Sequence, residues 1–114
     1  MEQTNISVLT LTVAAASALA ACRFVTEGGD YPAAGGSALG VTRTSAGQAG
    51  DLVPVDTLGT TIVEAGAALT AGQGLQVDAT GRVVPHTSGV MVGRALGAAS
   101  GAGAFVEVLL IPNA

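Results

Sequence analysis

The sequence predicts an all-β domain: a small antiparallel β-barrel or sandwich of short strands with an extended N-terminal strand or arm. Three observations predict it. Near the N-terminus apolar residues alternate with Ser and Thr, the two-residue period of a half-buried strand. Farther on, short β-branched runs recur about every ten residues, separated by Gly-, Asp- and Ser-rich punctuation, as in sandwiches and small barrels. No segment carries the 3.6-residue period of an amphipathic helix.

Taken in order, Ile6-Ser7-Val8 and then Leu9-Thr10-Leu11-Thr12-Val13 alternate, with a slip of phase at Val8-Leu9 that fits a bulge or burial on both faces. The alanine-rich stretch Ala14–Ala21 suits a helix, a connector or continued extended chain equally. Cys22–Thr26 reads as a strand before the turn Glu27-Gly28-Gly29-Asp30, and Pro32–Gly36 as a loop. Ala38–Thr44 leads into a turn at Ser45–Gly50. Asp51–Thr57 and Thr60–Glu64 read as strands on either side of Leu58-Gly59. "EAGAALTAGQ", residues 64 to 73, has room for one or two helical turns, and its glycines oppose more. Leu75–Asp78 and Arg82–Val84 flank a hairpin turn at Ala79-Thr80-Gly81, Val90–Leu96 precedes the turn Gly97–Gly103, and Ala104–Ile111 stops at Pro112.

The chain also resembles itself. "GVTRTSAGQAGDLVPV" (40 to 55) aligns without a gap on "GRALGAASGAGAFVEV" (93 to 108), matching Gly40 with Gly93, Ala46 with Ala99, Gly50 with Gly103, Val53 with Val106 and Val55 with Val108. Leu52 falls opposite Phe105. The predicted organisation is an N-terminal strand or arm with an alanine-rich connector over 1–21, followed by a β-domain over 22–114 built from two related hairpin units.

With 114 residues the chain makes one small domain. Much of its 49% hydrophobic content is alanine, there is no Trp, and Phe24, Phe105 and Tyr31 are the aromatic residues. Alanine buries little area, so the expected core is thin and stability is expected to depend on companions. The net charge is −4, and the basic residues are the four arginines Arg23, Arg43, Arg82 and Arg94, with no lysine. Four scattered arginines exclude a phosphate-backbone tracker, so no nucleic-acid partner is expected. The absence of a basic amphipathic helix excludes attachment to a membrane surface by that device.

Residues for chemistry are sparse. His86, the single histidine, stands beside Pro85 and reads as an exposed loop residue. Asp51, Asp56 and Asp78 read as isolated turn carboxylates, and Glu27 and Asp30 as a solvated turn, so neither a metal site nor a catalytic carboxylate pair is expected. A phosphate-binding loop requires a lysine that the chain lacks. The expectation is a non-enzyme without cofactors. The single cysteine permits one other reading. Leu19-Ala20-Ala21-Cys22 spells the cleavage and lipidation box of an exported lipoprotein anchored through Cys22, behind an apolar run. Against this, residues 1–5 carry an acid and no base, and Arg23-Phe24-Val25 continues as strand directly after the cysteine.

"LTLTVAAASALAACRFV", "DLVPV", "GTTIVEAG", "GQGLQVDATGRVV" and "VEVLLIPN", in that order from Leu9 to Asn113, resemble the capsid decoration, or cement, proteins of tailed bacteriophages. The resemblance implies an all-β structural protein of the virion, assembled in the host cytoplasm and placed on the outer capsid surface. It implies binding to the major capsid protein, clamping of adjacent capsomers against internal DNA pressure, and self-association as a homotrimer, with a dimer as the alternative. The alternating, uncharged arm supplies the candidate inter-subunit or capsid contacts: Ile6, Val8, Leu9, Leu11 and Val13.

Overall fold

Eight strands joined by turns make up the computed structural model, which describes residues 5–113. In chain order they are β1 (Ser7–Ala14), β2 (Phe24–Val25), β3 (Gly40–Thr42), β4 (Leu52–Glu64), β5 (Gly74–Val77), β6 (Val83–Pro85), β7 (Gly93–Ala95) and β8 (Phe105–Leu110). They form one antiparallel sheet in the order β2-β3-β4-β8-β7-β5-β6, with β1 added on β4. The class is all-β, as the alternation and turn spacing predict.

Strand β4 is the spine. It pairs with β1 through Leu11↔Val55 and Val13↔Val53, with β3 through Val41↔Asp56, and with β8 through Thr61↔Val108 and Val63↔Val106. The N-terminal strand therefore belongs to the chain's own sheet. Its register shifts between Ser7 and Leu9 and again between Leu9 and Thr10, which is the irregularity signalled by the slip at Val8-Leu9. Residues 2–4 of the expected arm lie outside the described residues.

Two local expectations are corrected. Leu58-Gly59 does not separate two strands, because β4 runs through it for 13 residues. Gly59 has φ +98°, open to glycine at little cost, and this bends the strand without ending it. Thr60 N–H still donates to Ile6 O at 2.9 Å beyond the bend. Residues 64–73 form no helix. Ala65 N–H donates to Ala104 O, Gly103 N–H donates back to Ala65 O, and Leu69 exchanges both backbone bonds with Ala99. Every carbonyl and amide committed to a neighbouring strand is lost to a helical turn. Ala14–Ala21 resolves the same way: Ala15 N–H donates to Asp51 O, and Leu19 exchanges both bonds with Ala46.

Hydrogen-bond registers recur along the chain. Leu11↔Val55 and Val13↔Val53 have counterparts in Thr61↔Val108 and Val63↔Val106. Val41↔Asp56 and Thr42↔Val55 have counterparts in Arg94↔Leu109 and Ala95↔Val108, and Phe24↔Val41 in Gly74↔Arg94. The Leu19–Ala46 and Leu69–Ala99 bridges match, as do the Cys22 N–H bond to Thr42 O and the Gly72 N–H bond to Ala95 O.

Valine supplies most of the bulk of the core, with alanines packed beside it. Apart from Phe24 and Leu75, the largest fully buried side chains are all valines, which suit a pleated, two-sided surface. They divide into a larger cluster, including Leu75, Val92, Val106 and Val108, and a smaller one of Val13, Ala15, Leu19, Val25, Ala46, Val53 and Val55. Glycine permits a close approach at Gly40, whose missing Cβ would collide with Asp56 O across the β3–β4 pair. Gly40→Ala is expected to abolish the cooperative unfolding transition in urea, whereas Gly101→Ala, with nothing within 4 Å of its Cβ position, is expected to change stability by less than about 1 kcal/mol.

Candidate functional site

One buried carboxylate fixes where β1 lies. Asp56 is fully buried in β4, although a turn carboxylate is expected there from sequence. Its Oδ1 accepts from Thr10 Oγ1 of β1 at 3.0 Å and pairs with Arg43 Nε at 3.1 Å, and its Oδ2 accepts from Thr61 Oγ1 at 2.9 Å. Four segments thus converge on one side chain: β1, the residue after β3, and both halves of β4. A buried charge is stable only when paired and hydrogen-bonded, so the three partners are obligatory. The strand expected over 51–57 already contains Asp56, but its burial breaks the alternation of that strand, and its partners Thr10, Arg43 and Thr61 are scattered in sequence and leave no local signal.

Asp51 and Asp78 do occupy turns. Asp51 Oδ2 accepts from Gly47 N–H and Gln48 N–H. Asp78 accepts from Thr80 N–H, Thr80 Oγ1 and Arg82 N–H, and pairs with Arg82 Nε at 3.1 Å. Burial pushes the Asp78 carboxyl up, but the Thr80 and Arg82 donors outweigh it, leaving the group below the ordinary carboxylate value. Glu64 bridges Arg23 at 3.1 Å and Arg82 at 3.8 Å. Among the described residues, no group of three His, Cys, Asp or Glu is placed to hold a metal ion. His86 is an exposed loop residue whose Nε2 lies 2.9 Å from Gly89 O.

Cys22 is half-buried with φ +60°, in a turn that precedes β2. Its N–H donates to Thr42 O and its carbonyl accepts from Glu64 N–H, so its backbone links the β3 end to β4. Burial pushes its thiol up, Glu64 adds to the rise, Arg23 opposes it and Asp56 raises it further. The lipoprotein reading requires a cut at this residue that strips β1 from β4.

The five contact candidates divide. Ile6, Val8, Leu9 and Leu11 are exposed, Val8 at 74%, while Val13 lies in the smaller core cluster. A side chain buried in its own core is not a surface contact, and Val13 instead anchors the far end of β1. Strand β1 has β4 on one edge and no strand on the other among the described residues. Its charge-free, proline-free sequence leaves that edge without the usual guards against pairing. Leu9 and Leu11 line a groove of about 540 Å³ with Leu39, Leu58 and Pro112, at whose wall Glu27 is the one charged residue. The site offers apolar surface and backbone hydrogen-bond groups, the means of a binding surface rather than of a reaction.

The family model for the phage cement protein matches residues 2–110. The crystal structure of the head fiber gp8.5 N base in bacteriophage phi29 is similar at a TM-score of 0.74 and 24% identity, over 90% of this chain and 93% of that one. That likeness shows the fold. No curated protein sequence matches.

Two outcomes follow from the polar contacts. Asp56→Ala removes the shared partner of Arg43, Thr10 and Thr61, and urea unfolding is expected to show a loss of about 1–3 kcal/mol. Asp78, with its folded value depressed, stabilises the fold fully above the ordinary carboxylate value of about 3.9, and that contribution fades as pH falls through the folded value. Asp78→Asn is therefore expected to flatten the loss of thermal stability below about pH 4, read by melting curves across that range.

Proposed function

The chain belongs to the phage cement protein family, and from that premise we propose that it binds the outer surface of a phage capsid shell and clamps adjacent subunits of the major capsid protein. It is a structural protein of the phage capsid. Under this reading it joins the virion in the host cytoplasm and acts as a closed homotrimer at a threefold or quasi-threefold position, a dimer being the alternative. The likeness to the base of a head fiber fits a protein seated on a capsid.

The observation that carries the reading is the state of β1. It is held in place by Asp56 while Ile6, Val8, Leu9 and Leu11 are exposed and one edge has no partner strand among the described residues. An edge strand of this kind accepts a partner strand through main-chain bonds, and its alternate side chains supply apolar contact. Clamping needs such a contact, because pressure from packed DNA loads the seam between capsomers and a brace must share backbone or apolar surface with both sides.

Purified shells lacking decoration provide the assay. Removal of residues 1–13 is expected to abolish binding, but it also removes β1 from the sheet. Val8→Asp and Leu11→Ser, both exposed, leave the Asp56 contacts intact and separate the two effects. Each is expected to unfold as the unaltered chain does and to bind shells at least tenfold more weakly, an order of magnitude consistent with losing one apolar anchor. Unchanged binding by both variants would contradict the role of β1.

A further inference from the structure

We propose that two copies of this chain associate head to tail, with the outward face of β5, β7 and β8 of one copy seated in the Leu9–Leu11–Leu39 groove of the next. The inference deepens the decoration reading by naming the self-contact on which its oligomer would rest.

The recurring registers divide the chain into two equivalent units, the first from β1 to the Asp56 region of β4 and the second from the remainder of β4 to β8. Inside the chain these units already contact one another in a defined way. Phe24, Ala38 and Val41 of the first unit sit in the core of the second, among Leu75, Val92 and Leu110. The first unit presents a plug, and the second a socket.

Each part has a counterpart that the single chain leaves unused. Register places Gly74 where the first unit has Phe24, and Arg94 where it has Val41. Counting on from Gly40 and Gly93, Met91 stands where the first unit has Ala38. These three form the second plug. A Cβ on Gly74 would lie 2.8 Å from Met91 Cε, so Met91 covers the place that Phe24 fills in the first unit. Met91 and Arg94 are exposed, and so is Leu109, the counterpart of Asp56. Likewise Leu39 and Thr57 stand where the second unit has Val92 and Leu110, and they line the groove. The counterpart of Leu75 is Val25, which lies buried in the smaller cluster, so the groove is the open outer part of the twin socket.

Charge agrees with the pairing. Arg23, Arg43 and Arg82 are all ion-paired, and Arg94 is the arginine without an ion pair among the described residues. Glu27, the charge lining the groove, makes no ion pair among them either. An exposed apolar plug bearing one cation thus faces an apolar socket bearing one anion. Inside the chain Ala38 N–H donates to Asn113 Oδ1 and the Asn113 amide donates to Ile111 O, and the counterpart of Ile111 is Leu58, which lines the groove. Met91 of one copy is therefore placed against Leu58 of the next. Because plug and socket differ, the contact is heterologous and must close into a ring or run on as a filament.

The test uses the full chain with Cys22→Ser, carrying Met91→Cys in one preparation and Leu58→Cys in another. After mixing and mild oxidation, the disulfide-linked pair joining the two preparations is expected to exceed both same-variant pairs at least tenfold. Arg94→Glu and Glu27→Arg are each expected to weaken self-association in light scattering at least fivefold, and mixing these two variants to recover most of it. Same-variant disulfides matching or exceeding the mixed one would overturn the head-to-tail contact, as would a chain that stays monomeric at every concentration. Shell binding, measured in parallel, distinguishes the two failures. Unaltered protein that decorates shells without the mixed disulfide refutes this contact alone, and protein that never decorates shells refutes the capsid reading.

Discussion

Asp56 is the constraint on which the rest depends. A carboxylate with no solvent access must be matched by donors on every side, and the donors here come from β1, from the residue after β3 and from the second half of β4. These segments are distant in sequence, and one side chain orders them together. The register observed sets Thr10 opposite Asp56, where its hydroxyl completes the carboxylate's shell. That register turns Leu9 and Leu11 toward the groove and leaves Ile6 and Val8 outward. The same contact that stabilises the domain therefore fixes the direction in which the proposed binding surface faces.

The small core gives this polar knot its weight. The two hydrophobic clusters are lined by valines and alanines, each contributing modest buried area. A domain of this size has a stability of about 10 kcal/mol, so one buried carboxylate with its ion pair and hydrogen bonds is a large share. It also explains how an eight-residue strand with most of its side chains in solvent can stay ordered. Val13 and Ala15 anchor one end in the smaller cluster, Thr10 ties the middle to Asp56, and Ile6 O accepts from Thr60 at the other end. A strand held in this way keeps its free edge extended, and extended edges are what a partner strand recognises.

Much of the fold was legible in the sequence because strands and turns report themselves locally. The Ser/Thr alternation placed β1, the slip at Val8-Leu9 placed its irregularity, and Ala79-Thr80-Gly81 placed the β5–β6 turn. Gly40 and Gly93, aligned by simple spacing, occupy matching places in their ladders. What escaped is non-local. Nothing beside Leu58-Gly59 tells a bend from a turn, since the answer lies in whether Ile6 reaches Thr60. Asp56 resembles any loop aspartate until Thr10, Arg43 and Thr61 are brought around it. Val13 shares its alternation with Leu9 and Leu11, and what buries it is the smaller cluster assembled from Leu19, Val25, Ala46 and Val53, residues distant in sequence.

For a capsid protein this distribution is coherent. The inside of the domain is plain, and the information sits in a few polar contacts that aim an apolar strand outward. A density map of a decorated particle tests that most directly. The chain is expected outside the shell with β1 and the Leu9–Leu11 groove covered, by the major capsid protein or by an adjacent copy. A map in which the chain is absent from the shell, or sits there with β1 and the groove both facing solvent, would contradict the account.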